Sequence, residues 1–274
     1  MISVLILTLD EEVNILDCIQ SLPDAWRKDI VILDSESQDG TRELAEKAGA
    51  RVITRPFANY ADQRNFGLSQ DFAYEWILMI DADERVTPEL AQEIERIFAG
   101  SPSNISMYRC RRKDMFMARW LKRSSGYPTF FPRLFRKGSV RVEREVNEEY
   151  HCDGEVGQLA GHLLHYPFNK GLDWWYQRHA RYASMEARKL LAERDGRTLR
   201  FADVVSSDPA RRRAALKQIA YRLPGRPMLV FLYLYVFRAG FLDGVPGYHY
   251  AAMRASYEIM IDSMQASIRY GEQI

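Results

Sequence analysis

Four short apolar runs punctuate the first eighty residues, and helical patterns fill the gaps between them. The runs are 2–9, Ile30–Asp34, Arg51–Thr54 and Trp76–Ile80. Between them Glu12–Ser21, Gly40–Ala48 and Tyr60–Gln70 carry helical spacing, and Pro88 opens a further helix over Glu89–Phe98. The first run is β-branched and nearly continuous, with no polar face, as in a parallel strand covered on both sides. Alternation of this regularity predicts an open α/β sheet, mostly parallel, with right-handed crossovers. A sheet of that kind binds its ligands outside the carboxyl ends of its strands. The length of 274 residues allows one large domain, or one domain with a sizeable appendage, and 47% apolar residues supply a core. A disordered or collagen-like chain is excluded.

The carboxyl ends of these strands are polar and acidic. Strand one ends in Thr8-Leu9-Asp10-Glu11, strand two in Asp34-Ser35-Glu36-Ser37-Gln38-Asp39-Gly40-Thr41, and the fourth in Asp81-Ala82-Asp83-Glu84. Each alone has a plain structural explanation: Asp39 or Thr41 can cap a helix, and Glu11 can be solvated. Three clusters on one sheet edge point instead to a ligand site. Carboxylates ending a buried strand, as Asp81 and Asp83 do, can hold a hard divalent cation, Mg²⁺ or Mn²⁺, together with substrate phosphate oxygens.

These segments, together with Gln63-Arg64-Asn65-Phe66-Gly67-Leu68, resemble glycosyltransferase family 2. The resemblance is strongest over residues 1–100. It reappears at Pro132-Arg133-Leu134-Phe135 and His165-Tyr166 and continues to Gly240-Phe241-Leu242-Asp243-Gly244. In kind it is nearest to bacterial lipopolysaccharide-core β-glucosyltransferases. It implies a GT-A fold and transfer of a sugar from a nucleotide-sugar with inversion. Carried over residue by residue, it implies that Thr8 and Glu11 line the nucleoside pocket and that Asp34 accepts a hydrogen bond from uracil. Arg64 would lie near the pyrophosphate. Asp81 would face ribose or metal, with Asp83 as the principal metal ligand. The family usually has Asn where this chain has Asp10; Asp is acceptor-only when ionised, so one local hydrogen bond must be rearranged.

Glycosyl transfer to an alcohol needs a base, cationic stabilisation of the leaving diphosphate, and in-line positioning. The acid-rich stretch Glu143–Glu149 is the expected source of the base. Related enzymes often show Val-His-Glu where this chain reads Val146-Asn147-Glu148, which makes Glu148 the first candidate and Glu149 the second. The competing reading is a charged strand edge or turn. His165 is a candidate third metal ligand, against a purely structural hydrogen-bonding role; His162 and His151 have less to recommend them. His179 sits among Trp174, Trp175, Tyr176 and Tyr182 at helical spacing, which reads as core packing rather than a platform for a sugar.

The second half has a different character. From residue 100 to 170 short strand-like pieces alternate with turn signals at Gly126, Pro128, Pro132 and Gly138. Helical patterns then cover Leu172–Glu193, Asp208–Arg222 and a long stretch from Pro227. The expected organisation is 1–104 as the nucleotide-sugar half of a GT-A domain, 105–170 as its acceptor half, and 171–274 as a helical C-terminal extension. Cys18, Cys110 and Cys152, odd in number and without CxxC spacing, read as reduced thiols of a cytoplasmic protein. The run 2–9 lacks a basic flank and is too short for a signal peptide, so no leader is expected.

The net charge of +1 conceals an asymmetry. Residues 1–108 hold nine Lys/Arg against 20 Asp/Glu, a net of −11, while 109–274 hold 29 against 17, a net of +12. No acidic residue falls between Asp208 and Asp243, a segment with Arg211, Arg212, Arg213, Lys217, Arg222, Arg226 and Arg238 beside the apolar run 228–237. Ten apolar residues are too few to span a bilayer, and the combination fits peripheral attachment to an anionic membrane surface. A buried helix with a solvated basic neighbour, or a homodimer contact, is the rival use. Nucleic acid is disfavoured, because no binding motif is present and the acidic front half would repel phosphate. The expected function is a metal-dependent glycosyltransferase at the inner face of the cell membrane, moving hexose from a UDP-sugar to a lipid-linked glycan or lipopolysaccharide-core acceptor. Transfer to polyprenyl phosphate, and a non-catalytic nucleotide-sugar-binding scaffold, are the alternatives.

Overall fold

The computed structural model describes residues 1–100, 104–143, 149–196, 204, 219 and 225–271. Glu148 and most of the basic segment 208–222 lie outside the described residues. The chain forms two compact units: Met1–Ala118 with Tyr127–Lys170, and Arg119–Gly126 with Gly171–Ile274.

The first unit opens with β1 (Ser3–Thr8), α1 (Ile15–Gln20), β2 (Ile30–Asp34), α2 (Thr41–Lys47), β3 (Arg51–Thr54), α3 (Tyr60–Leu68) and β4 (Trp76–Asp81). It continues with β5 (Glu84–Val86), α4 (Pro88–Ala99), β6 (Ile105–Phe116), β8 (Phe130–Arg136), β9 (Val140–Glu143), β10 (Glu149–Cys152) and β11 (Glu155–His165). Among the described residues the main sheet runs β3-β2-β1-β4-β8-β6-β11-β5. β3, β2, β1 and β4 are mutually parallel, and β8 runs antiparallel to both its neighbours.

Side chains of β1 alternate between two cores, as the two-residue period of a strand requires. Ile2, Val4 and Ile6 join Ile15, Cys18 and Ile19 of α1, Ala45 of α2, and Leu90 and Ile94 of α4. Leu5 and Leu7 join Phe72, with Phe66 and Leu68 of α3 and Val140 and Tyr150 packed against them. Three helices thus cover one face, and α3 with the β9–β10 hairpin covers the other. Gly67 lets α3 approach closely, since a Cβ there would lie 2.7 Å from Leu5 Cδ2. At α4, Pro88 occupies the first turn and the Thr87 hydroxyl accepts from Leu90 N–H. Cys18 and Cys110 are buried free thiols, and burial pushes both thiol pKa values up.

Two sequence expectations are corrected. Pro132 is not in a turn but inside β8, where the register against β6 shifts between Tyr108 and Arg109. Proline cannot donate to the ladder, and a strand irregularity accommodates it. The long helix from Pro227 is likewise broken. In the second unit α6 (Arg226–Leu232) passes into a π-helical turn, Tyr233–Phe237. Ala239 (φ 55°) and Gly244 (φ 73°) then adopt left-handed backbone around a short turn at Gly240–Asp243 before α7 (Val245–Arg269) restarts with Pro246.

The second unit also contains α5 (Leu172–Gly196) and β7 (Arg119–Trp120). α5 packs on α7 through Ala183, Ala187 and Ile261. His179 stacks on Trp175 with ring centroids 3.6 Å apart, beside Tyr257. α6 is tied to α7 by Arg226, which pairs with Glu258 (2.8 Å) and Asp262 (3.1 Å). The buried Asp243 carboxylate gathers the 119–126 segment, accepting from Arg123 N–H (2.9 Å), Ser124 N–H (2.8 Å) and the Ser124 hydroxyl (2.8 Å). Among the described residues, no helix is long and apolar enough to cross a membrane.

Candidate active site

Sheet register brings the polar strand ends level. Thr8 pairs with Asp34 across β1–β2, and Leu7 with Asp81 across β1–β4. The chain order reverses between β1 and β4, with β2 and β3 on one side and β4 on the other, so these residues sit at the topological switch point of the parallel strands.

The loops after β1 and β2 interlock. The Thr8 hydroxyl donates to Asp34 Oδ2 (2.8 Å), and Ser37 N–H donates to Asp34 Oδ1 (2.9 Å). Asp34 is fully buried, and both its oxygens hold protein groups. Glu11 N–H donates to the Thr41 hydroxyl (2.7 Å), and Gly40 N–H to Glu12 Oε2 (2.9 Å). Asp10 takes φ 54° and accepts from Gln38 N–H at 2.7 Å. An Asp is suited to both features: it tolerates left-handed backbone better than most residues, and the bond needs only an acceptor. Asp39 accepts from Thr41 and Glu12; burial alone would raise its carboxyl pKa, but these bonds outweigh it and lower it.

Beneath the β4 end lies a cluster of arginines and carboxylates. Arg133, nearly inaccessible in β8, donates from Nε and Nη2 to the two Glu84 oxygens (2.9 Å each) and from Nη2 to Asp81 Oδ2 (2.8 Å). Arg112 stands 3.5 Å from Glu84, and Arg64 of α3 stands 3.6 Å from Asp81 Oδ1. Burial raises the Asp81 carboxyl pKa, but Arg133 and Arg64 together prevail and hold it below the ordinary range. Arg64, expected near a pyrophosphate, is thus brought to the Asp81 carboxylate.

Asp83 pairs with a histidine. His165, at the end of β11, places Nε2 3.2 Å from Asp83 Oδ2 and Nδ1 2.7 Å from Asp114 Oδ1. Burial opposes the charged imidazole, yet the flanking carboxylates raise its pKa to about 9. Glu11 receives the Lys170 ammonium at 2.6 Å and the Asn14 amide at 2.9 Å, and Lys170 also donates to the Leu9 carbonyl (2.8 Å). Burial, with the Asp83 charge adding to it, raises the Glu11 carboxyl pKa despite Lys170. Asp114, Lys170 and the bridging role of Arg133 are contributions that local motifs did not reveal. The echo at Pro132–Phe135 was the sole signal for any of them.

The donor set fits a divalent cation in a limited way. Among the described residues no three His, Cys, Asp or Glu side chains are arranged to hold a metal ion. Mg²⁺ needs only one or two carboxylates beside substrate phosphates. Asp83 suits that role, with Glu11 close enough to feel its charge. Asp114 behind His165 follows the carboxylate–histidine pattern that orients metal-ligating imidazoles. Asp81, held by two arginines, is less available. Glu149 is brought to a different place: it is exposed on β10, opposite Glu143 in the two-stranded β9–β10 sheet. That hairpin is anchored to α3, because Asn65 exchanges hydrogen bonds with Val142 (2.7 and 2.9 Å) next to Arg64.

Residues 3–156 match the family described as glycosyl transferase family 2. This α/β domain, with its mostly parallel central sheet flanked by helices, therefore has the GT-A fold of a sugar-transferring class. The chain belongs to glycosyltransferase family 2. A relative from Rickettsia typhi (strain Wilmington), named an uncharacterized glycosyltransferase, is 40% identical over 176 residues, covering 60% of each chain. The lipopolysaccharide core biosynthesis glycosyltransferase LpsC of Rhizobium meliloti (strain 1021) is 32% identical over 173 residues, covering 60% of this chain and 63% of that protein. The chain thus spans about three-fifths of the length of these relatives. Glucosyl-3-phosphoglycerate synthase from Mycobacterium tuberculosis, crystallised with Mn²⁺, UDP and glucosyl-3-phosphoglycerate, is similar at 23% identity and a TM-score of 0.35, over 41% of this chain and 44% of that one. A likeness that slight has no bearing on this chain's donor or metal.

Proposed function

We propose that this chain is an inverting glycosyltransferase that moves a hexose from a nucleotide-sugar, UDP-linked by preference, to a lipid-linked glycan or lipopolysaccharide-core acceptor. The observation that carries this reading is the meeting of Thr8, Glu11, Asp34, Asp81 and Asp83 on one sheet edge of a family 2 domain. The name of the Rhizobium relative supports the acceptor class. Residues 1–104 would form the donor half, 105–170 the acceptor half, and 171–274 a helical extension working at the inner face of the cell membrane.

In this reading Thr8, Glu11 and Asp34 shape the nucleoside pocket, and Asp34 acts chiefly by fixing the 35–41 loop. Arg64 brings positive charge to the side where the diphosphate leaves, and Arg133 keeps Asp81 ionised beside it. Mg²⁺ or Mn²⁺ at Asp83, with His165 as a further ligand, would neutralise charge developing on the diphosphate. Glu148, or Glu149 in its stead, would take the acceptor hydroxyl proton as bond formation begins.

The test pairs binding with transfer. The full chain is melted with UDP-, GDP- and dTDP-sugars in the presence of Mn²⁺, and sugar transfer into a lipid acceptor fraction is then followed. A rise in Tm with one nucleotide class is expected. Glu148→Gln should keep that rise while transfer falls by about 10²–10⁴, the usual contribution of a general base. No rise with any nucleotide-sugar would overturn the donor assignment, and near-wild-type transfer by Glu148→Gln would remove Glu148 as base.

A further inference from the structure

We infer that the turn between α6 and α7, with the 119–123 segment held beside it, is a preformed docking surface for an anionic lipid bilayer. This deepens the lipid-linked acceptor reading by naming where the membrane is met, and it rests on that reading only for the identity of the acceptor.

The first observation is a helix that is apolar on both sides. One side of α6 and its π-helical turn is satisfied within the second unit, where Phe231, Tyr235 and Tyr248 form an aromatic cluster with centroids 5.3–5.9 Å apart. The opposite side continues apolar into solvent, through Met228, Leu232, Val236 and Phe237, the last 80% exposed. Leu242 (63%) and Val245 (64%) extend it over the following turn. Among the described residues, ten of the 22 exposed large hydrophobic ones fall within 228–248, so this is one contiguous stretch of chain rather than scattered surface. A helix that is hydrophobic all round belongs in a core or a membrane, and no helix among the described residues is long and apolar enough to span one. Shallow insertion remains.

The second observation is the charge beside it. Between Asp208 and Glu258 the sole acidic residue is Asp243. Its carboxylate is buried and turned inward onto Arg123 and Ser124, so it offers no negative charge to the surface. The same contacts bring the cationic segment 119–123 to the turn. The Arg119 guanidinium comes within 2.9 Å of where a Cβ on Gly244 would stand, and Arg238 Nε donates to the Arg123 carbonyl (3.4 Å). Lys122, exposed, completes the set. Apolar side chains collared by Arg119, Lys122, Arg123 and Arg238 complement acyl chains bordered by anionic headgroups. A second copy of the chain fits less well, because a two-fold contact would set each collar near its own copy.

The experiment is vesicle flotation of the full chain on phosphatidylcholine alone and on phosphatidylcholine with about one-third phosphatidylglycerol. Two variants are compared, Phe237→Glu/Leu242→Glu and Lys122→Glu/Arg123→Glu. All four side chains are exposed, so wild-type melting temperatures are the check on folding. Wild type should float at least tenfold better with the anionic vesicles. The apolar variant should lose binding to both, and the charge variant should lose about fivefold or more per cation removed, on anionic vesicles alone. Equal flotation of wild type and both variants overturns the surface. So does failure of wild type to float while sedimentation shows a dimer that Phe237→Glu/Leu242→Glu dissolves. Nucleotide-sugar melting shifts are measured on the same samples: if they persist without flotation, the docking surface fails alone, and if they vanish with flotation intact, the transferase reading fails alone.

Discussion

Replacing Arg133 by Met tests the charge cluster under the β4 end. Methionine keeps an unbranched apolar stem, so the packing change is small and the electrostatic one dominates. The cost should sit mainly on Glu84, whose side chain is completely buried and would lose two bonds of 2.9 Å. Asp81, with 31% of its side chain accessible, can recover water. Removing one partner of a buried ion pair typically costs about 3–5 kcal/mol. Glu84 retains Arg112 at 3.5 Å and the Asp81 N–H at 3.2 Å, which favours the lower end of that range. At about 3 kcal/mol, and roughly 2–4 °C per kcal/mol for a domain of this size, the melting temperature should fall by about 6–12 °C at pH 7. Arg133→Lys restores charge without the two-pronged geometry and should recover part of the loss. The pH dependence has a definite sign. Asp81 is held below its unfolded pKa by Arg133 and Arg64, so its contribution is present above that value and disappears as pH falls through the folded one. The part of the gap between wild type and Arg133→Met that Asp81 contributes should therefore shrink on acidification from about pH 5 toward 3. Urea denaturation across that range decides the matter. A loss below about 1 kcal/mol at pH 7, or a gap that widens in acid, would refute the account.

Three further outcomes are expected. Asp243→Ala strips the acceptor from two backbone N–H groups and a hydroxyl, at roughly 1–3 kcal/mol for each buried donor left unmade; limited proteolysis should then cut within 119–126, and resistance equal to wild type would count against the anchor. Burial of His179 beside Trp175, aided by Arg254 and Arg178, lowers its pKa to about 4, so the folded chain binds its proton later than the unfolded one. Stability conferred by the neutral imidazole should be full above about pH 6.5 and decline toward pH 4, by about 1–2 kcal/mol once solvent screening of this half-buried ring is allowed for, and His179→Gln should flatten that limb of a chemical denaturation series. Asp83→Asn should weaken Mn²⁺-dependent nucleotide binding at least tenfold by calorimetry, whereas unchanged affinity would transfer the metal role elsewhere.

What could be read from the sequence follows the range of the forces involved. β1, β2 and β4 announce themselves because a strand covered on both faces must be apolar at every position, and their carboxyl ends are therefore where polarity returns. Thr8, Asp34, Asp81 and Asp83 were legible for that reason. Asp114 and Lys170 were not, since their partners lie 51 residues away at His165 and 159 away at Glu11. No local pattern encodes such pairing. β5 escaped notice as a three-residue strand, because among the described residues it pairs with β11, far along the chain. Pro132 was misread because a proline's missing N–H usually ends a strand, whereas here a register shift absorbs it. The break after Phe237 had signals at Gly240, Gly244 and Pro246, but the apolar run before them pointed more strongly to continuity.

The segment 119–126 sits between β6 and β8 in the chain yet belongs with the C-terminal helices. The two units are consequently interleaved in sequence, and neither can be excised with a single cut. A protein ended at Lys170 would carry the completely buried Ser124 without the Asp243 carboxylate that accepts from its N–H and hydroxyl. Any exchange of the helical unit between relatives must move these eight residues as well. Inheritance of the helical unit is therefore written partly inside the sheet-bearing one, and the two should have diverged as one piece.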